Sequence, residues 1–210
     1  MKTDFSFYEF AAIIAPGAVV LFGASILFPG HLALGSLTDV DLGGLGLFVL
    51  LAYVVGHLTQ AVGNGLEAVY WKCWGGMPSE WVRRGELLSP RQSERLFQLV
   101  APLVGSTDAL DRNQWYAATR EVNAAVGRAG KAERVNAFLG NYGLSRGIAA
   151  AGIVLCVMAA VASGMGAWRT MLLTLAGTTV AVFRMHRFGK HYARELFVQY
   201  LDLSTSPPKN

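Results

Sequence analysis

Four runs of apolar residues divide the chain, and each has the composition of a membrane-crossing helix. The first run, Phe10 to Phe28, holds nineteen residues without a charge. At about 1.5 Å per residue, a helix of that length spans roughly the 30 Å hydrocarbon layer of a bilayer. The other runs are Gly43 to Gly63, Gly147 to Gly164 and Ala167 to Phe183. The pattern predicts an all-α polytopic membrane protein with four transmembrane helices arranged as two hairpins.

A Pro-Gly pair interrupts the first of these runs at Pro16 and Gly17. Proline removes one backbone hydrogen-bond donor from a helix, and glycine removes a side chain. The pair therefore indicates either a kink in the first helix or a close approach by a neighbouring helix.

Charged segments follow both predicted hairpins. Between the hairpins, Ser89 directly before Pro90 has the pattern of a helix start, and similar signals recur along the insert. After Arg184, residues such as Tyr192 and Leu196 place apolar side chains at helical spacing. We therefore expect four parts: a first transmembrane hairpin at 1–74, a basic helical cytoplasmic insert at 75–146, a second hairpin at 147–183 and a cytoplasmic amphipathic tail at 184–210.

The composition and the distribution of charge support a membrane protein and predict its orientation. Hydrophobic residues make up 53% of the chain and charged residues only 15%. Of 18 Lys and Arg, eleven lie between Lys72 and Arg146 and five lie from Arg184 onward. The segment Pro29 to Asp41 has none. Because basic residues favour the cytoplasmic side, we expect a multi-pass inner-membrane protein with both termini and the insert in the cytoplasm.

Familiar catalytic signatures are missing from the sequence. There is no Cys or His cluster at metal-ligand spacing, no Walker-type phosphate loop and no Gly-x-Ser-x-Gly elbow. The two cysteines, Cys73 and Cys156, do not imply a disulfide framework. We therefore assign no catalytic residue, metal ligand or cofactor, and the sequence points away from a conventional enzyme.

The second apolar run carries a stripe of polar residues, which is the strongest candidate site. His57, Gln60, Asn64 and Glu67 recur at steps of three, four and three, so they align along a helix. Such groups are costly in hydrocarbon unless they meet protein or water. One interpretation is a pore lining or ion path, and the other is a set of interhelical hydrogen bonds. We expect His57 to face the bundle interior or a central axis between copies.

The third run predicts a surface for close helix packing. Gly152, Cys156, Ala160 and Gly164 repeat at every fourth residue and so form a face of small side chains. Small residues let helix backbones approach closely in membranes. We expect this face to pack against another helix.

The tail carries a basic stripe of Arg184, Arg187, His191 and Arg194. Arg184 and His191, with six residues between them, resemble the R-x4-6-H spacing of HEPN ribonucleases, which would imply RNA cleavage at a dimer interface. Juxtamembrane basic residues also hold topology or bind anionic lipid headgroups. The insert mixes its basic residues with seven acidic ones, which disfavours nucleic acid as a partner.

Several short sequence segments resemble segments of the small polytopic inner-membrane effectors of bacterial anti-phage defence systems. They are FYEF with the following APG, GHLTQAVGNGLE, NYGLSRG and RMHRFGKHYAREL. The resemblance implies a homo-oligomer in the lipid bilayer that permeabilises the membrane when its cytoplasmic part receives a signal. The alternative is a non-conducting membrane scaffold that anchors a cytosolic protein partner.

Overall fold

The computed structural model describes residues 7–29, 42–163 and 168–205, and the regular structure within these ranges is entirely helical. The predicted all-α class is therefore confirmed. The helices, in chain order, are α1 (Phe7–Leu27), α2 (Leu42–Cys73), α3 (Pro78–Arg83), α4 (Pro90–Val100), α5 (Arg112–Arg128), α6 (Glu133–Ser163) and α7 (Trp168–Leu203), with a 3-10 turn at Ala101–Val104.

Two helical stretches are long and apolar enough to cross a membrane. They are Gly43–Arg83, which contains most of α2, and Glu133–Ala162, which lies in α6. A shorter apolar helix, Ala12–Leu27, lies in α1. The apolar part of α7 is bounded by arginines and carries four threonines, which lower its hydropathy. By length and composition, the described ranges thus contain two candidate spans where the sequence pattern predicts four.

The chain divides into two compact units. Unit 1 comprises Met1–Tyr70 and Gly140–His186, and unit 2 comprises Trp71–Leu139 and Arg187–Asn210. The C-terminal tail therefore shares a unit with the insert, although the sequence pattern treats them as separate parts. The segment from Gly140 to Arg146 belongs to unit 1 rather than to the insert, and α6 runs through both of its glycines without a break.

In unit 1, glycines bring the backbones of α1 and α2 into contact. A Cβ added at Gly17 would overlap the carbonyl oxygen of Ala52, and one added at Gly56 would overlap the carbonyl oxygen of Ile13. Only residues without a side chain permit this crossing. The Pro16-Gly17 pair therefore marks a close approach, the second of the two meanings considered for it.

The small face of α6 packs against α7 over part of its length. A Cβ at Gly152 would overlap the Thr178 hydroxyl, and the Cys156 Sγ lies 3.9 Å from the carbonyl oxygen of Met171. Ala160, one turn further, is exposed. Gly164 lies outside the described residues. The predicted packing surface is thus present at Gly152 and Cys156 and ends before Ala160.

Unit 2 has its own core, with the C-terminal half of α7 among its members. The Trp115 ring stacks on Phe197 with a centroid separation of 5.2 Å, and its Nε1 donates to the Ser79 carbonyl at 2.9 Å. Leu196 and Phe197 are fully buried. The segment predicted as an amphipathic tail is therefore a structural helix of this unit. Its largest buried side chains are Trp115, Phe197, Leu96, Leu196, Val82, Val100, Val122, Val126 and Val135.

Candidate functional site

The polar stripe of α2 separates into two pairs. Gln60 and Glu67 are half-buried, whereas His57 and Asn64 are exposed. Members of each pair are seven residues apart and so share a direction, while the two pairs are offset by three residues, or about 60° around a helix. That offset places Gln60 and Glu67 against neighbouring helices and leaves His57 and Asn64 on the exposed surface of α2. The prediction that His57 faces the bundle interior is therefore wrong, and the axis between copies is the other location that was expected for it.

Gln60 compensates for a hydrogen bond that proline removes from α1. In a regular helix the nitrogen of residue 16 would donate to the carbonyl of residue 12, but Pro16 has no N–H. The Gln60 Nε2 donates instead to the Ala12 carbonyl oxygen at 2.6 Å. Pro16 itself is fully buried. A helix interruption in α1 is thus satisfied by a side chain of α2.

Gly147 of α6 provides the space for this contact. A Cβ at that position would lie 2.5 Å from the Pro16 Cγ, 2.8 Å from the Gln60 Nε2 and 3.2 Å from the Ala12 carbonyl oxygen. All three distances are shorter than ordinary van der Waals contacts of a Cβ. The absence of a side chain at Gly147 therefore lets three helices meet at the proline.

Arg146, next to that glycine, completes the polar cluster. Its Nη2 donates to the Gln60 Oε1 at 2.9 Å, and its Nη1 donates to the Glu67 carboxylate. The side chains of Arg146 and Glu67 are 21% and 18% exposed. The Arg146 Nε is buried and has no hydrogen-bond partner within the described residues. We call these three side chains, with the Ala12 carbonyl, the Arg146 network.

The Arg146 network connects α1, α2 and α6 and neutralises two charges. Because Gln60 and Glu67 are engaged by one arginine, their arrangement is that of interhelical hydrogen bonds. Arg146 was not predicted to belong to this cluster, because it lies at the end of the segment assigned to the cytoplasmic insert. A lone carboxylate such as Glu67 at the end of an apolar run is the signal that predicts a basic partner on another helix.

The exposed pair belongs to a different surface of α2. We define the polar α2 face as Tyr53, His57, Ala61, Asn64 and Ala68, all of which are exposed. The Tyr53 ring meets the His57 imidazole edge to face, with centroids 4.6 Å apart. Within residues 7–29, 42–163 and 168–205, neither the imidazole of His57 nor the amide of Asn64 has a hydrogen-bond partner. Both remain available to a group outside the chain.

A second polar contact of unit 1 joins α2 to α7. The Tyr70 hydroxyl lies 3.0 Å from the His186 Nδ1, and their rings are nearly perpendicular. Neither residue is singled out by the sequence pattern. Each lies at the last position of its segment of unit 1. The contact therefore ties α2 to α7 where both helices leave this unit.

The basic stripe of the tail is exposed except at its histidine. Arg184, Arg187 and Arg194 are exposed, whereas the His191 imidazole stacks on Phe138 at 5.4 Å. Partial burial, then the positive charges of its arginine and lysine neighbours on α7, lower the pKa of His191, and a nearby glutamate acts in the opposite direction. This shift favours the neutral imidazole. Within one copy of the chain, Arg184 lies in unit 1 and His191 lies in unit 2, so the two residues of the R-x4-6-H spacing belong to different units.

No group of three or more His, Cys, Asp or Glu side chains suited to a metal ion occurs in the part of the chain that the structure describes. Comparisons of the chain with protein-family models, with curated proteins and with solved structures find no match. The features of this protein that bear on its function are therefore the two surfaces of α2 and unit 2.

Proposed function

We propose that this protein is a multi-pass inner-membrane protein whose copies assemble through the polar α2 face and permeabilise the membrane. The observation that carries the proposal is the exposure of His57 and Asn64 on a helix whose other exposed side chains are mostly apolar. The resemblance to membrane effectors of anti-phage defence suggests the setting, in which a signal reaches the cytoplasmic part.

The apolar surface of unit 1 supports insertion of all four of its helices. A soluble monomer seldom exposes contiguous apolar patches of more than a few hundred Å². In unit 1 every helix exposes large apolar side chains, and acyl chains would cover them. Examples are Phe22 and Ile26 on α1, Leu50, Val54 and Leu58 on α2, Val157 and Val161 on α6, and Leu172, Leu173 and Phe183 on α7. We therefore propose four spans, with the basic insert and tail in the cytoplasm.

The energetic cost of polar groups in lipid supports assembly. A polar side chain that faces hydrocarbon without a partner forfeits its hydrogen bonds, and even a modest bond between membrane helices contributes about 0.6 kcal/mol. An imidazole and a carboxamide each contain a donor and an acceptor, so the His57 and Asn64 side chains of two copies can satisfy one another. Ala61 and Ala68 on the same face allow the helices to approach closely.

Assembly through this face provides a polar lining at the contact between copies. His57 and Asn64 would then surround the axis of the oligomer, where water or ions can replace missing protein partners. Gln60 and Glu67 have no part in such a path, because Arg146 occupies them. A displacement of the copies, transmitted from the cytoplasmic unit, would open or close the lining.

Dye leakage from liposomes or from expressing cells tests this proposal. His57→Leu with Asn64→Leu should abolish leakage and reduce crosslinked oligomer while the protein still inserts, since the Arg146 network is untouched. Val54→Leu, an apolar exchange on the exposed side of the same helix, is the matched control and should leak normally. Unaltered leakage in the double variant would refute the proposal.

A non-conducting scaffold is the second candidate function. Its support is the Arg146 network, which removes two of the four predicted stripe residues from any path and gives unit 1 the character of a structural anchor. The same experiment separates the candidates. If wild-type protein forms the crosslinked oligomer but releases no dye either from liposomes or from expressing cells, the protein is a non-conducting scaffold.

A further inference from the structure

Unit 2 contains a groove at the edge of its core that the proposed membrane function does not use. It lies between the beginning of α4 and the end of α7 and has a volume of about 730 Å³. That volume falls within the range of about 300–1,000 Å³ that is usual for ligand sites. The residues that line this α4–α7 groove are Ser89, Arg91, Gln92, Arg95, Val198, Leu201, Asp202 and Thr205.

The charges of the groove are predominantly positive. Arg91 is exposed and has no hydrogen bond or ion pair among the described residues. The Arg95 Nη2 donates to the Ser204 hydroxyl at 2.9 Å, which holds its guanidinium in place, while Nε and Nη1 make no hydrogen bond within the described ranges. Asp202 is paired with the Lys131 Nζ at 2.5 Å. Two guanidinium groups are therefore left with donors for an anion.

The remaining lining selects among anionic ligands. Val198 and Leu201 contribute apolar surface, and Leu201 is buried. The side chains of Ser89 and Gln92 are already engaged with one another in the capping box of α4. None of the lining residues is aromatic, so the groove has no ring on which a nucleobase could stack. Carboxylates beside aliphatic groups fit this surface better than a nucleotide does.

We propose that the α4–α7 groove binds an acidic, leucine-bearing peptide segment of a cytosolic partner protein. Glutamate or aspartate side chains of the peptide receive charge-assisted hydrogen bonds from Arg91 and Arg95, and an aliphatic side chain packs on the half-buried Val198 at the edge of the core. The inference rests on the proposed function only in placing unit 2 in the cytosol. It adds the chemistry by which a signal protein would be recognised.

Fluorescence anisotropy with the full-length protein in nanodiscs of zwitterionic lipid tests this assignment. The probe is a labelled octapeptide of alternating leucine and glutamate, and the control peptide has glutamine in place of each glutamate. Empty nanodiscs correct for partition into lipid. The glutamate peptide should bind saturably and the glutamine peptide at least about tenfold more weakly, with the difference shrinking at high salt.

Two charge reversals on exposed helix positions locate the binding. Arg91→Glu should weaken binding of the glutamate peptide at least about tenfold. Arg120→Glu, an equal change of net charge on α5, should alter the affinity by less than about twofold. Absence of saturable binding, or equal losses in both variants, would overturn the proposal. Displacement of the peptide by tripolyphosphate at lower concentration than by unlabelled peptide would assign the groove to phosphate ligands instead. Peptide binding and dye leakage are separate measurements, so either proposal can fail alone.

Discussion

The contact between Gln60 and the Ala12 carbonyl should be energetically coupled to Pro16, and a double-mutant cycle can measure that coupling. Gln60→Leu removes two interhelical hydrogen bonds, each contributing about 0.6 kcal/mol in a membrane protein. It also leaves a buried carbonyl unsatisfied, which costs about 1–3 kcal/mol. We expect the substitution to lower the free energy of unfolding of unit 1 by about 2–4 kcal/mol.

Pro16→Ala should suppress most of that loss. An alanine at position 16 supplies the N–H that proline lacks, so the Ala12 carbonyl is satisfied within α1 whether or not Gln60 is present. In the Pro16→Ala background, Gln60→Leu then removes only the bond from Arg146 and should cost about 0.6 kcal/mol. The difference, a coupling of about 1.5–3.5 kcal/mol, is the contribution of the carbonyl.

Labelling of Cys156 reports this free energy for unit 1. Its thiol is half-buried on α6, whereas the other cysteine, Cys73, is exposed and would be replaced by serine. The labelling rate in detergent with increasing SDS gives the free energy of exposure for the parent, both single variants and the double variant. If the two substitutions are additive within about 0.3–0.5 kcal/mol, Gln60 does not compensate for the proline and the reasoning is refuted.

Two further predictions concern ionisable groups. Glu67→Gln leaves the Arg146 charge without its half-buried counterion and should lower the free energy of unfolding of unit 1 by about 1–3 kcal/mol. Glu67→Leu with Arg146→Met should recover much of that loss. Equal stability of Glu67→Gln and wild type in the thiol-labelling assay would contradict this prediction. The lowered pKa of His191 means that the folded protein binds fewer protons than the unfolded protein. The contribution of His191 to the free energy of unfolding is therefore present above about pH 6.5 and is lost as the pH falls through the pKa of the folded state. Because His191→Phe keeps the stack on Phe138, its Tm in scanning calorimetry should fall less between about pH 7 and pH 5 than that of wild type, and parallel Tm curves would refute this role.

The sequence alone was sufficient for the local architecture. Apolar runs and helix starts act over a few residues, so the beginning of α4 could be predicted from Ser89 and Pro90, and the structure shows a capping box there. The amphipathic pattern after Arg184 likewise predicts a helix with one buried side. It does not say what covers that side, and in the structure the core of unit 2 does so, around Phe197.

Only the tertiary structure distinguished the two halves of the α2 stripe. A spacing of three or four residues places His57 and Glu67 on the same broad side of a helix, yet an offset of about 80° between them decides which of them meets a neighbour. The partner that makes this decision, Arg146, lies 79 residues from Glu67 along the chain. Its position depends on the glycines at which helices cross, and such contacts between distant segments leave no periodic trace in a single sequence.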